Sequence, residues 1–151
     1  MKNSSDKCIR DNFGKVWPSH VANLTAFLIN ARAVFDGDLD LFLVLAVIGD
    51  RSFASERVSP SMTFDDFMSE DRVSADPISL NAHSISQFSS IPRETVRRKV
   101  QDLMDRGWVE RSADGSLCAT RKAAVDLLPL TEAGVAYLAN MATLLGGTQK
   151  G

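Results

Sequence analysis

Four cations stand within seven residues at Arg93, Arg97, Arg98 and Lys99, with Glu94 and Thr95 set among them. Guanidinium groups at that density suit two tasks, forked hydrogen bonding to guanine edges and neutralisation of phosphate. Nothing comparable points to catalysis. The chain has no GxSxG elbow, no GxxxxGK[ST] loop, no HExxH and no GxGxxG after a strand. His20 and His83 lie far from any serine or cysteine in a recognisable arrangement and read as surface or capping histidines. With Cys8 and Cys118 as the only cysteines and no CxxC, zinc has little to bind. Cys118 reads as a packed, inert thiol in preference to an oxidant sensor. The acids Asp36, Asp38 and Asp40 lack the glutamate that would complete a calcium loop, and Asp38 is more simply a helix N-cap. No catalytic residue, metal or cofactor is expected, and the chain reads as a non-enzyme.

Something must hold the cationic cluster on one side of an element. With a helical period, Val96, Val100 and Leu103 form an apolar stripe, and Arg93, Arg97 and Arg98 fall mostly off it. Pro92 can open that helix, because an N–H missing there had no partner in any case. Asn81 to Ser89 reads as a shorter preceding helix with Ile85 and Phe88 turned inward, and Ser89-Ser90-Ile91-Pro92 as the tight break. Residues 80–106 thus make a helix-turn-helix. Gly107 can take the left-handed conformation that ends a helix. Trp108 to Arg111, the turn Ser112 to Gly115 and Ser116 to Thr120 then read as a hairpin over 108–120.

A helix-turn-helix followed at once by a hairpin is a winged helix. The chain resembles the MarR-type bacterial transcription regulators and their winged-helix relatives over roughly residues 38 to 145. The matching residues are Ser90-Ile91-Pro92-Arg93-Glu94-Thr95-Val96, then Leu103-Met104-Asp105-Arg106-Gly107-Trp108-Val109-Glu110-Arg111, then Leu130-Thr131-Glu132-Ala133-Gly134. The resemblance implies a mainly α fold with a small β-hairpin wing, a winged helix-turn-helix core flanked by N- and C-terminal dimerisation helices. It further implies a sequence-specific transcriptional regulator that binds double-stranded DNA as a homodimer. A small-molecule effector is left open, and the protein-contact use of a winged helix in a larger assembly is the alternative.

By position in the motif, Arg93, Glu94 and Arg98 are expected at base edges and Ser90, Thr95 and Arg97 at the backbone. Arg111 on the wing, with Arg121 and Lys122 beyond it, supplies further phosphate candidates. Asp114 at the wing tip is explained by Asp-Gly turn chemistry. Pairing of Arg98 with Asp102 at i, i+4 is expected to contribute only about 0.3 kcal/mol, weak enough to yield to phosphate.

Charge is distributed accordingly. Residues 79–122 carry eight Lys/Arg against five acids, whereas 34–78 carry three against ten. The basic excess therefore falls on the helix-turn-helix and wing, although the whole chain is at −2. No signal-peptide pattern opens the chain, and no apolar run is long enough to span a bilayer. A reduced, cytoplasmic setting without membrane contact is expected.

Residues 1–15 read as a flexible arm and 16–151 as a single domain. Helix 17–35 begins with Pro18 in its first turn and carries Val21, Leu24, Phe27, Leu28, Ala31 and Phe35. This stripe either packs on its own domain or meets a partner subunit. Helix 38–50, apolar on most sides, is the expected core helix. Residues 53–78 form an acidic insertion with a short helix capped by Thr63 and Asp66. Thr120 to Pro129 is open between a short helix capped by Thr120 and an extension. Helix 131–145, with Thr131 as N-cap and Gly146-Gly147 as its end, carries Val135, Leu138, Ala142 and Leu145 as the second dimerisation stripe.

Overall fold

The computed structural model describes residues 4–53, 59–69 and 80–148. The protein is mainly helical with one two-stranded antiparallel sheet. It divides into two compact units, residues 35–127 and the two terminal segments 1–34 and 128–151.

The 35–127 unit is built on α3 (Leu39–Phe53). Asp36 and Gly37 both take positive φ, which turns the chain sharply before it. Asp38 then caps α3 as expected, its carboxylate accepting the Leu41 N–H at 2.9 Å. Leu41, Val44, Leu45, Val47 and Ile48 are all buried. Five buried positions in eight residues cover more than one side of a helix, so a single neighbour could not enclose them. α5 (Ala82–Ser89), α6 (Arg93–Asp105) and strand β2 (Leu117–Ala119) all pack on α3. At its N-terminal end the Phe35 ring meets Phe42 and Trp108 edge-on, each at 5.5 Å between centroids.

Strand β1 (Val109–Arg111) pairs with β2 in the register Val109↔Ala119, Glu110↔Cys118 and Arg111↔Leu117. Gly107 has φ +75°, the left-handed conformation expected at the end of α6. The N–H of Leu117 reaches the carbonyl of buried Leu80 at 3.0 Å, which ties the hairpin to the entry of α5. The segment after the hairpin resolves as a helix, α7 (Arg121–Asp126), capped by the Thr120 hydroxyl on the Ala123 N–H. Within the acidic insertion, α4 (Phe64–Met68) carries the expected reciprocal cap between Thr63 and Asp66. The remainder of that insertion, 54–58 and 70–78, lies outside the described residues.

The other unit contains α1 (Ser4–Asp11), α2 (Phe13–Val34) and α8 (Leu128–Thr148), with α2 packed along α8. Several expectations are corrected here. The N-terminal arm is helical: the i, i+4 pairs Lys7–Asp11 and Arg10–Asp6 knit α1, and residues 1–3 lie outside the described residues. Because α2 begins at Phe13, Pro18 is inside the helix and not in its first turn, and the Gly14 carbonyl lacks its usual helical donor. α8 begins at Leu128, three residues before Thr131, because Pro129 sits where no intrahelical N–H is needed. It also continues through Gly146 and Gly147 to Thr148. Across the pair, His20 Nδ1 is 2.8 Å from the Tyr137 hydroxyl and Asn140 donates to Asn23 at 2.9 Å. His20 is therefore a positioned interhelical partner, where a surface or capping role was expected.

Replacing Asp38 by Ala removes the α3 cap and is expected to lower stability by about 1–2 kcal/mol in urea titration at pH 7. Burial opposes the Asp38 charge, but the hydrogen bonds from Lys99 and the Leu41 N–H outweigh it and hold the carboxyl below its ordinary range. A depressed folded-state value means the ionisation-linked stability is full above the unfolded carboxylate range and is lost as pH falls through the folded value. The gap between wild type and Asp38→Asn should therefore narrow below about pH 4. A gap independent of pH would remove the carboxylate charge from the account.

Candidate nucleic-acid interface

The turn between α5 and α6 is stitched almost entirely by serines. Asn81 caps α5 by accepting the Ser84 N–H, while the Ser84 hydroxyl takes the Asn81 N–H, both at 3.0 Å. At the other end Ser90 adopts the left-handed conformation, φ 62°, and its N–H reaches the Ser86 carbonyl at 2.9 Å. The Ser86 hydroxyl donates to the Ile91 carbonyl and the Ser89 hydroxyl to the Ile85 carbonyl, each at 2.7 Å. These bonds satisfy backbone groups that a tight reversal would strand. They leave the Ser90 side chain exposed, and Pro92 starts α6 with φ −54°.

α6 buries Val96, Val100 and Leu103. At about 100° per residue, Glu94, Arg98, Gln101 and Asp105 form the ridge opposite that stripe, with Arg97 to one side. Arg93, Glu94, Arg97 and Arg98 are all exposed, and Thr95 is half-buried beside the core. Arg97 holds Glu94 with two hydrogen bonds, Nε to Oε2 at 3.1 Å and Nη2 to Oε1 at 2.8 Å. Those bonds, then the charge of Arg97, lower the Glu94 carboxyl from its ordinary value. Arg93 and Arg98 make no ion pair among the described residues.

The expected Arg98–Asp102 pair does not form. Asp102 is instead taken by Arg106, whose Nε lies 2.7 Å away and whose Nη1 reaches Asp36 at 3.3 Å. Arg106 also stacks its guanidinium over the Trp108 ring at 5.2 Å. Lys99, counted above with the exposed cations, pairs with Asp38 at the α3 cap and is half-buried. Lys99 and Arg106 are thus structural anchors. Their roles depend on Asp36 and Asp38, some sixty to seventy positions away, and local helix pairing gave no sign of them.

The hairpin is less basic than its sequence suggested. Arg111 is exposed, with Nη1 donating to the Gly115 carbonyl at 3.2 Å. Asp114 is the expected turn former: its carboxylate accepts the Ser112 hydroxyl at 2.5 Å and the Ser116 N–H at 2.9 Å. Arg121 and Lys122 lie in the first turn of α7, where Lys122 pairs with Asp126. Asp126 also accepts the Trp108 indole N–H at 2.8 Å, so this acid anchors α7 to the start of β1. Burial, followed by the nearby Glu110 carboxylate, raises the Cys118 thiol from its ordinary value. That protonated thiol is a poor nucleophile at neutral pH.

Phe88, expected to face inward, is 55% exposed and carries the Arg51 guanidinium 4.5 Å from its ring centroid. Ile85 alone supplies the buried contact of α5. In the terminal unit, Val21, Leu24, Leu28, Val135 and Leu138 are substantially exposed, as is Ala142. Phe27 and Leu145 are half-buried, the Phe27 ring lying against Gly134. Ala31 and Phe35 are fully buried within the single chain, Phe35 by the aromatic contacts of the α3 unit, so neither is available to a partner subunit. Phe13 and Trp17, not singled out from the sequence, stack at 5.2 Å and continue the exposed apolar stripe of α2 toward its N-terminus.

Among the described residues no group of three His, Cys, Asp or Glu is placed to hold a metal ion, and no helix is long and apolar enough to cross a membrane. No protein-family model, no curated protein and no solved structure matches the chain.

Proposed function

We propose that the protein is a winged helix-turn-helix regulator of the MarR-like kind that binds double-stranded DNA in a sequence-specific manner, with α6 as the recognition helix and the β1–β2 hairpin as the wing. The observation that carries this reading is α6 itself: its inward stripe is held on α3 while Arg93, Arg97 and Arg98 stand on its exposed surface. The serine-stitched turn supports it by setting α6 rigidly against α5. Arg98, on the outward ridge and without an ion pair among the described residues, is the guanine-reading candidate. Arg93 and Ser90 flank the helix start, and Arg97 is a phosphate candidate once it leaves Glu94. Lys99 and Arg106 take no part, being committed to Asp38, Asp36 and Asp102.

Arg98→Ala should relax base preference at one position per half-site, at a cost of about 1–3 kcal/mol on the preferred sequence. An equal loss on all sequences would make Arg98 a phosphate contact. Arg111→Ala should shallow the salt dependence of binding by about one unit of log–log slope, and an unchanged slope would take the wing arginine out of the interface.

We further propose that two copies associate through the exposed apolar stripe of α2 and α8, and that the homodimer reads a palindromic site whose half-sites lie one DNA turn apart. The stripe supports this because Phe13, Trp17, Val21, Leu24 and Leu28 follow one another at three- and four-residue spacing and are each between 37% and 50% exposed. Deleting α8 would also uncover α2, so point charges are the cleaner test. Leu138→Glu, at a position 65% exposed, should convert a sedimenting dimer to a monomer at micromolar concentration without loss of helical circular dichroism. A wild-type chain that sediments as a monomer would end the dimer proposal.

The second reading is a winged helix that contacts protein. It draws on Glu94 and Asp105, which give the outward ridge of α6 a mixed charge. Retention of DNA from a random-sequence pool by the wild-type protein decides between the two.

A further inference from the structure

The most outward residue in the first turn of α6 is an acid. Glu94 lies nearly opposite Val96, Val100 and Leu103, with Arg97 on one side and Arg98 one turn further along the same ridge. A carboxylate placed there would meet the negative potential of the groove ahead of the arginines that flank it. Helix-dipole attraction accounts for an acid in a first turn but equally well for one on the flank. The position at the apex therefore calls for a further explanation.

We infer that Glu94 is a specificity residue that selects cytosine, and that its ion pair with Arg97 couples this selection to a phosphate contact. The inference rests on the DNA-binding reading above. In the major groove the base-edge donors are the amino groups of cytosine and adenine. Adenine sets its own N7 acceptor beside that donor, which repels a carboxylate, whereas on cytosine the ring edge beside the amino group carries only C5–H, the guanine O6 lying on the far side. A C·G pair is thus the one that Glu94 tolerates best. Arg98, one turn along the ridge, lies about 6 Å from Glu94 between Cβ atoms, one to two base steps away at 3.4 Å per step.

The ion pair supplies the coupling. Both Glu94 oxygens are engaged by Arg97, and the two side chains remain 67% and 69% exposed. An exposed pair of this kind is weak enough to open against a better partner. On a matched site the carboxylate turns to the cytosine amino group and Arg97 is freed for phosphate. On any other pair the carboxylate stays with Arg97, and one phosphate contact is lost along with the base contact. Glu94 thereby depresses binding to unrelated DNA, a repulsive element that raises discrimination at some cost in affinity.

The test compares wild type, Glu94→Ala and Glu94→Gln on randomised duplexes and on single-position variants of the selected site, with folding checked by circular dichroism. The wild type should select cytosine at one position per half-site. Both variants should lose that preference by about tenfold, and they should bind random-sequence DNA more tightly, with a salt slope about one unit steeper because Arg97 is released. Retained cytosine preference, or random-sequence binding with an unchanged slope, overturns the role of Glu94 while a sequence-selective wild type leaves the regulator reading intact. A wild type that binds no DNA removes both.

Discussion

Everything that α6 presents outward depends on how its inward face is held against α3. Val96, Val100 and Leu103 are buried there, and full burial of an aliphatic side chain contributes about 1.5–3 kcal/mol. Three such residues on one stripe fix both the depth and the rotation of the helix, because turning it by one residue would bring a charged side chain toward the apolar core that α3 and α6 share. The serine-lined turn adds the remaining constraint. Its hydroxyls close on the Ile85 and Ile91 carbonyls, so the direction in which α6 leaves α5 is set by hydrogen bonds as well as by packing.

The same contact divides the cations into two kinds. Lys99 and Arg106 lie on the flank of α6 and toward its end, and each finds an acid in the short segment before α3. The Asp38 carboxylate takes part in two tasks at once, capping α3 through the Leu41 N–H and receiving Lys99. The start of the core helix and the flank of α6 are therefore held at a common point. Arg93, Arg97 and Arg98, with no such acid across from them among the described residues, are exposed. A basic stretch that looks uniform in one dimension is thus partly framework and partly surface.

The hairpin extends this arrangement. Trp108 packs on Phe35, stacks under Arg106 and donates its indole N–H to Asp126, so a single residue joins the end of α6, the aromatic end of the core and α7. Arg111 and Asp114 then follow at the tip with opposite charges, and Asp114 is engaged by two donors within the turn. The hairpin accordingly brings little net positive charge, which leaves α6 as the main carrier of basic surface among the described residues of this unit.

Much of this organisation was legible in the chain because it depends on short-range rules. Asp38 and Thr63 cap helices where their side chains can reach an N–H three residues on, and Gly107 turns where a Cβ would be strained. The stripe Val96, Val100 and Leu103 follows from helical period alone, and the Asp-Gly turn of the hairpin from local turn chemistry. What sequence order leaves open is which neighbour a side chain meets across the fold. Ala31 and Phe35 continue the same apolar spacing as Val21, Leu24 and Leu28, yet they are enclosed while the others stay exposed. Phe88 has the residue type of a core position but lies in solvent under Arg51. Asp102 chose Arg106 over Arg98, although both stand four residues away, because Arg106 is also drawn by Asp36 and Trp108. Caps and periods are decided within a few residues, so the chain carries them openly; burial and ion-pair choice are decided by groups brought together only when distant segments pack.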